Sequence, residues 1–145
     1  MRKAALLSTL TVLLFAGAAG AKAQQEPSAP YRIGDKLAGT RWQAQSLRGG
    51  AVTDPASATI DFLPDDQVRG QAGCKRFVGP YATRDDKITI GPIRMSLGDC
   101  RGSEAALEER MIEALEKAER VELGGDRLIL HDRQGEPSRF APRRP

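Results

Sequence analysis

An α+β fold is predicted, mainly antiparallel β: a curved, partly open barrel-like sheet wrapped around one amphipathic α-helix. Three observations predict it. Short segments with apolar residues at alternate positions follow one another, each bounded by Gly, Pro or Asp, the pattern of half-buried strands. A single window, from Ser103 to about Glu119, repeats apolar residues at helical spacing without Gly or Pro. Many strands and one helix cannot build a doubly wound sheet, because parallel strands need repeated crossovers.

The first element read along the chain is a targeting segment. Arg2 and Lys3 precede an apolar run over residues 4–19 and the small-residue pattern Ala21-Lys22-Ala23, the order of a secretory signal peptide, 1–23, cleaved after Ala23. As a membrane span the run falls short of the roughly 20 apolar residues a bilayer core needs, and Ser8, Thr9, Thr11, Gly17 and Gly20 dilute it. No cysteine lies near the cleavage site to carry a lipid. A periplasmic or secreted product without a stable membrane anchor is therefore expected.

Charge supports no polyanionic partner at the level of the whole chain. There are 22 Lys and Arg against 19 Asp and Glu, and removal of residues 1–23 takes Arg2, Lys3 and Lys22 with no acid. The mature net charge is zero, so charge gives no argument for an anionic membrane as partner, and no nucleic acid is expected.

Residues 24–36, with Pro27, Ser28 and Pro30, read as a flexible lead-in; residues 37–142 form one domain of ordinary size; residues 143–145 are a solvated basic tail. A monomer is expected. Cys74 and Cys100, in an oxidising compartment, are read as one disulfide, with two buried free thiols as the alternative. Closing a loop of about 26 residues is worth ~3.5 kcal/mol on the chain-entropy model.

Within the domain, Ile60 and Phe62 share one strand face while Thr59 and Asp61 take the other. Pro64-Asp65-Asp66 turns the chain into Val68, Gly70 and Ala72, a hairpin. Tyr81 to Thr83, then Ile88 and Ile90, then Ile93, Met95 and Leu97 continue the alternation, with Asp85-Asp86 and Gly91-Pro92 as breaks. In the helix, Leu107, Met111, Ala114, Leu115 and Ala118 form the apolar stripe. Ser103 suits its N-cap and Lys117 and Arg120 its C-terminal end. Val121 and Leu123, the turn Gly124-Gly125-Asp126, and Leu128 and Leu130 make a second hairpin; Asp132 to Gly135 turns into a closing strand around Phe140.

In this order the elements carry a resemblance. Leu37-Ala38-Gly39-Thr40-Arg41-Trp42 opens the domain, and Gly70-Gln71-Ala72-Gly73-Cys74 leads into Phe77-Val78-Gly79-Pro80-Tyr81. Cys100 precedes a Glu-rich helix, and Leu128-Ile129-Leu130 precedes Asp132 and Gly135. Over residues 37 to 140 the chain resembles the META domain family, of the heat-shock, HslJ-like type. The resemblance implies a partly open antiparallel barrel around one helix, paired cysteines at these two places, and a bacterial envelope protein of heat-shock or novobiocin tolerance. Lys75 stands where the family usually has Asn, and Ser96-Leu97-Gly98-Asp99 where it has a Thr-x-Met-Ala run.

Catalytic, cofactor and metal signatures are not found. His131 is the single histidine, which rules out a multi-histidine metal site, and Asp132 beside it points to the opposite face of a strand. No G-x-S-x-G, S-x-x-K, H-E-x-x-H, P-loop or G-x-G-x-x-G motif occurs. Asp65-Asp66 and Asp85-Asp86 lack the alternating carboxylates of a calcium loop and read as turns. The glutamates Glu104, Glu108, Glu109, Glu113, Glu116 and Glu119 could dock a basic partner or, equally, form a solvated face, some of them paired with Arg110 and Lys117. Lys75, Arg76 and Phe77, beside the bridge, are the best candidate contact surface.

The function expected is therefore that of a non-enzymatic exported envelope protein, with no cofactor. The alternative is a binding module for an envelope partner protein or for a small apolar ligand in the barrel mouth. The contents of the groove between helix and sheet discriminate between these.

Overall fold

The computed structural model describes Gly17, Gly20 and residues 32–144. The signal-peptide reading of residues 1–23 lies almost wholly outside the described residues, as does most of the lead-in. The described part of the lead-in is not irregular: α1 (Ile33–Leu37) is a short helix that ends on the buried Leu37.

The opening motif has a local physical purpose. Gly39 takes a positive φ of 82°, open to glycine without strain, and donates its N–H to the Phe62 carbonyl. Thr40 Oγ1 donates to the Leu37 carbonyl and accepts from Trp42 Nε1 at 2.8 Å. The indole of Trp42 thus enters the core with its one polar atom satisfied.

Strands then follow in the alternation the sequence carries: β1 (Arg41–Leu47), β2 (Gly50–Ala51), β3 (Ala58–Phe62), β4 (Gln67–Ala72), β5 (Lys75–Arg84), β6 (Lys87–Ile90) and β7 (Arg94–Met95). After α2 (Gly102–Glu116) come β8 (Ala118–Gly124), β9 (Arg127–Asp132) and β10 (Pro137–Pro142). The predicted hairpin is β3–β4, with Phe62 opposite Val68 and Ala58 opposite Ala72. The second is β8–β9, with Leu123 opposite Leu128.

The class is as expected, α+β and mainly antiparallel, and the sheet goes further than partly open. Its order is β10-β9-β8-β6-β5-β4-β3-β1, and β1 pairs with β10 through Trp42 with Pro142, Gln43 with Ala141 and Ala44 with Phe140. Eight strands close on themselves, which removes the edges that would otherwise pair with other chains. β2 extends β1 through a turn in which Arg48 and Gly49 both have positive φ, while β7 lies off the ring beside β5.

α2 touches β1, β3, β4, β6 and β9, strands from different sides of the ring. It therefore closes one mouth of the barrel. Leu107, Met111, Ala114 and Leu115 are its buried residues, and they join Trp42, Leu47, Ile60, Phe62, Val68, Leu128, Leu130 and Phe140 in one core. Phe62 and Tyr81 meet edge to face with ring centroids 5.0 Å apart. On the core side of α2 the space is packed, while a concavity of about 520 Å³ lined by Met95, Ala105, Ile112 and helical glutamates opens beside the helix.

Three expectations are corrected by this architecture. The helix starts at Gly102 with Arg101 at the N-cap, and no side chain caps it; Ser103 lies inside its first turn. The Cys74–Cys100 bridge fixes the entry instead, just before the helix. The helix also ends earlier: Ala118 is buried from β8, so its match to the helical stripe came from a strand position. Lastly, Leu97 does not continue a strand but is fully exposed, because ladder bonding to β5 ends where Ser96 N–H meets the Arg76 carbonyl.

Of the basic tail at residues 143–145, Arg143 is held to the barrel: its N–H donates to the Arg41 carbonyl and its Nη2 to both oxygens of the buried Asp61, at 2.6 and 2.9 Å.

Candidate functional site

The expected disulfide is present: Cys74 and Cys100 are joined, with Cα atoms 5.6 Å apart. It ties the β4–β5 turn to the residues before α2. The turn is pressed against the helix, for a Cβ on Gly73 would lie 2.2 Å from the Glu104 carbonyl oxygen. Gly73 also has a φ of 61°. Glycine is needed there on both counts.

Immediately after the bridge the strand period divides the predicted contact cluster. Lys75 and Phe77 point inward and Arg76 outward, because neighbouring strand residues take opposite faces. Lys75 Nζ pairs with Glu108 Oε1 of α2 at 2.9 Å, with both side chains largely buried. Phe77 is 3% exposed and stands opposite Gly70, where a Cβ would lie 2.8 Å from its ring and 1.9 Å from the Thr59 carbonyl oxygen. The ring fills the space that the glycine leaves. Lys75, Arg76 and Phe77 are therefore not one surface: two are structural, and Arg76 alone is available.

Arg76 belongs to an outer sheet face that sequence order scatters. On β4, β5 and β7, Arg69 is directly opposite Val78, which is opposite Arg94. Next to this row lies a concavity of about 410 Å³ lined by Thr59, Asp61, Arg69, Gly70, Gln71, Arg76, Phe77 and Arg143. Its acid, Asp61, is held by Arg143, and Arg69 Nε approaches it at 3.7 Å. Net charge does not reveal this grouping of arginines, which arises because Arg94, opposite Val78, turns away from the helix while Met95 faces it.

A second polar cluster, also not foreseen, locks the α2 end of the barrel. Arg48 Nε donates to Asp132 Oδ2 at 3.1 Å and its Nη1 pairs with Glu113 Oε1 at 2.6 Å. Asp132 Oδ1 accepts the N–H groups of Gln134 and Glu136. Burial pushes the Asp132 carboxyl up, but these backbone bonds and Arg48 outweigh it and hold it below the ordinary aspartate value. Hydrogen bonding from Lys117, then from Arg48, likewise lowers Glu113, and the bond to Asp132 is the main reason that Arg48 is raised. Sequence offered one clue: Asp132-x-Gln134 before Gly135 is the spacing at which an aspartate accepts backbone N–H groups of its own turn. Arg110 also departs from expectation. It donates to the carbonyls of Gly50 and Ala51 in the β1–β2 hairpin, and so ties helix to sheet, whereas Lys117 pairs with Glu113 as foreseen.

His131 lies on the outer side of β9. Its Nε2 is 3.1 Å from Glu122 Oε1 without hydrogen-bond geometry, and its Nδ1 is 3.4 Å from the Gly135 carbonyl. The adjacent Asp132 faces the other way, toward Arg48. Asp66 and Asp85 sit in turns at positive φ, and among the described residues no cluster of three His, Cys, Asp or Glu could hold a metal ion. No helix among the described residues is long and apolar enough to cross a membrane.

The META domain model matches residues 35–145, which is most of the chain. The chain belongs to the META domain family. No curated protein matches it. Among solved structures, this META domain is similar to an NMR structure of a protein from Burkholderia xenovorans. The two are 21% identical, with 85% of this chain and 97% of that one covered and a TM-score of 0.65. It is also similar to a DUF4847 family protein from Bacteroides vulgatus, at 17% identity over 75% of this chain and 96% of that one, with a TM-score of 0.56. At these identities the likeness is one of fold. The META fold here is thus a closed barrel with a filled interior and its chemistry displayed outside.

Proposed function

We propose that this META protein is exported and acts in the bacterial envelope without catalysing a reaction, through contacts made by its outer surface. The observation that carries the reading is the packed interior of the barrel. With Leu107, Met111 and Leu115 buried against the strands, recognition falls to the exterior, where a concavity of about 520 Å³ beside α2 is lined by Met95, Ala105, Ile112 and helical glutamates. Export is supported by residues 1–23 and agrees with a disulfide, which persists in oxidising compartments. The single histidine, paired only with an exposed glutamate, supports the non-enzymatic part.

Its role is tolerance of envelope stress, by heat or by a bulky antibiotic such as novobiocin, as the family resemblance implies. The test is a deletion strain complemented with the chain. Restored tolerance with the wild type and with His131→Ala is the expected result. Loss of tolerance in a His131→Ala variant of unchanged melting temperature would overturn the non-enzymatic assignment.

A further inference from the structure

β7 lies off the closed ring and is paired on one side only, with β5. Beyond its last residue Ser96 donates its N–H to the Arg76 carbonyl, so the alternation of an antiparallel ladder turns the N–H and C=O of Met95 away from β5. No other backbone bond among the described residues reaches them. An unpaired strand edge of this kind is a template for a further strand. Beside it opens the concavity of about 520 Å³ between β7 and α2, within the range of ligand clefts, roughly 300–1,000 Å³. Met95, Ala105 and Ile112 supply its apolar part, with Met95 and Ile112 half-buried against the core.

Charge then selects the occupant. Of the ionised groups that line the groove, Glu108 is held by Lys75, and Glu113 by Arg48 and by Lys117, the only cation in the lining. Glu109 and Glu116 are exposed and have no basic partner among the described residues. Seven residues apart, they share one side of the helix with Ile112 between them. Arg94, the cation of β7, turns to the opposite face of the strand from Met95. A small apolar ligand would leave both carboxylates and the Met95 backbone groups unmatched. A second copy pairing the same edge about a two-fold axis would set glutamates against glutamates. An extended chain that carries cations matches the strand edge, the apolar floor and the two carboxylates together.

We infer that the groove between β7 and α2 docks an extended basic segment of a partner protein by strand addition to the free edge of β7. The segment runs antiparallel to β7 with an apolar residue opposite Met95, so that the two exchange N–H to C=O bonds and the apolar side chain meets Met95 and Ile112. A Lys or Arg two residues to either side falls on the same face and meets Glu109 and Glu116. Main-chain bonds supply affinity in this mode and the alternate side chains supply choice of sequence. The inference deepens the reading of recognition by the exterior, and rests on it only in taking the partner to be a protein.

The experiment titrates the full chain into a fluorophore-labelled, end-capped peptide Thr-Lys-Thr-Leu-Thr-Lys-Thr and follows anisotropy. Binding should saturate below about 1 mM and weaken with added salt. The same peptide methylated on the leucine nitrogen loses the donor that meets Met95 and should bind at least about tenfold more weakly. Glu109→Lys and Glu116→Lys should each weaken binding at least about fivefold. Glu104→Lys makes the same charge change on a side of α2 that lines a different concavity and should leave binding unchanged. Melting temperatures of the three variants should stay close to the wild type, since each altered side chain is exposed. Amide exchange at Met95 should slow when the peptide is bound. No saturation, an equal loss with Glu104→Lys, or undiminished binding of the methylated peptide overturns the proposal. So does a concentration-dependent dimer lost on Glu109→Lys without peptide binding, which would give the groove to a second copy. Complementation with His131→Ala tests the non-enzymatic envelope reading by itself, so the two can fail separately.

Discussion

Arg48 and Asp132, 84 residues apart in the chain, meet at 3.1 Å across the mouth of the barrel that α2 covers. Three segments converge there: the β1–β2 turn, the β9–β10 turn and, through Glu113, the helix. Asp132→Ala leaves the N–H groups of Gln134 and Glu136 and the Arg48 guanidinium without their acceptor, and should cost about 2–3 kcal/mol of stability in urea unfolding.

The same cluster sets an acid dependence. Asp132 and Glu113 are held below their ordinary values of 3.8 and 4.5, so the unfolded chain takes up protons first as pH falls. Their stabilisation is complete above those ordinary values and is lost as pH drops through the lower folded values. Thermal melts between pH 7 and pH 3 should show the wild type approaching Asp132→Ala in acid. A gap that stays constant would count against the cluster.

Unreduced, denatured protein taken from the periplasm should show no thiol on labelling, because both cysteines are consumed in the bridge. Cys74→Ser together with Cys100→Ser should lower stability by ~3.5 kcal/mol on the chain-entropy model, with the loss seen as a lower urea midpoint.

Phe77 and Arg76 should separate cleanly under substitution. Phe77→Ala removes the ring that covers Gly70 and should cost about 3–5 kcal/mol, whereas Arg76→Ala should stay within about 0.5 kcal/mol. Equal effects would restore the view of these neighbours as one surface.

Cleavage should leave Gln24 at the mature N-terminus, because Ala21 and Ala23 occupy the two small-residue positions of the cleavage site. Intact mass of the exported protein checks this. A membrane-bound product that retains residues 1–23 would contradict it.

What the sequence made legible was local. Alternation at Ile60, Phe62, Val68 and Ala72 revealed the β3–β4 hairpin, and the spacing of Leu107, Met111 and Leu115 revealed the helix and its buried side. The same periodicity misled where a residue satisfied two patterns, as Ala118 did, or where alternation outran its partner strand, as at Leu97. Candidate-site residues were harder to read. A basic-aromatic tripeptide looks like a patch in one dimension, but the strand period sends Lys75 to Glu108 and Phe77 to Gly70. The Arg69–Val78–Arg94 row exists only once three strands are in register. A net charge of zero for residues 24–145 could not show that Arg69, Arg76 and Arg94 share the outer face of β4, β5 and β7.

Closure of the ring by β1 and β10 gives the last strand a protective duty. Until Pro137–Pro142 is in place, β1 is held on one side by β3 and β2 while its other ladder positions at Trp42 and Ala44 stay unpaired, and β9 keeps an open flank as well. Unpaired strand flanks recruit other chains. A chain truncated before Pro137 should therefore be lost to aggregation rather than to simple unfolding, with its insoluble fraction rising with concentration, even though most of the core residues and the disulfide are still present.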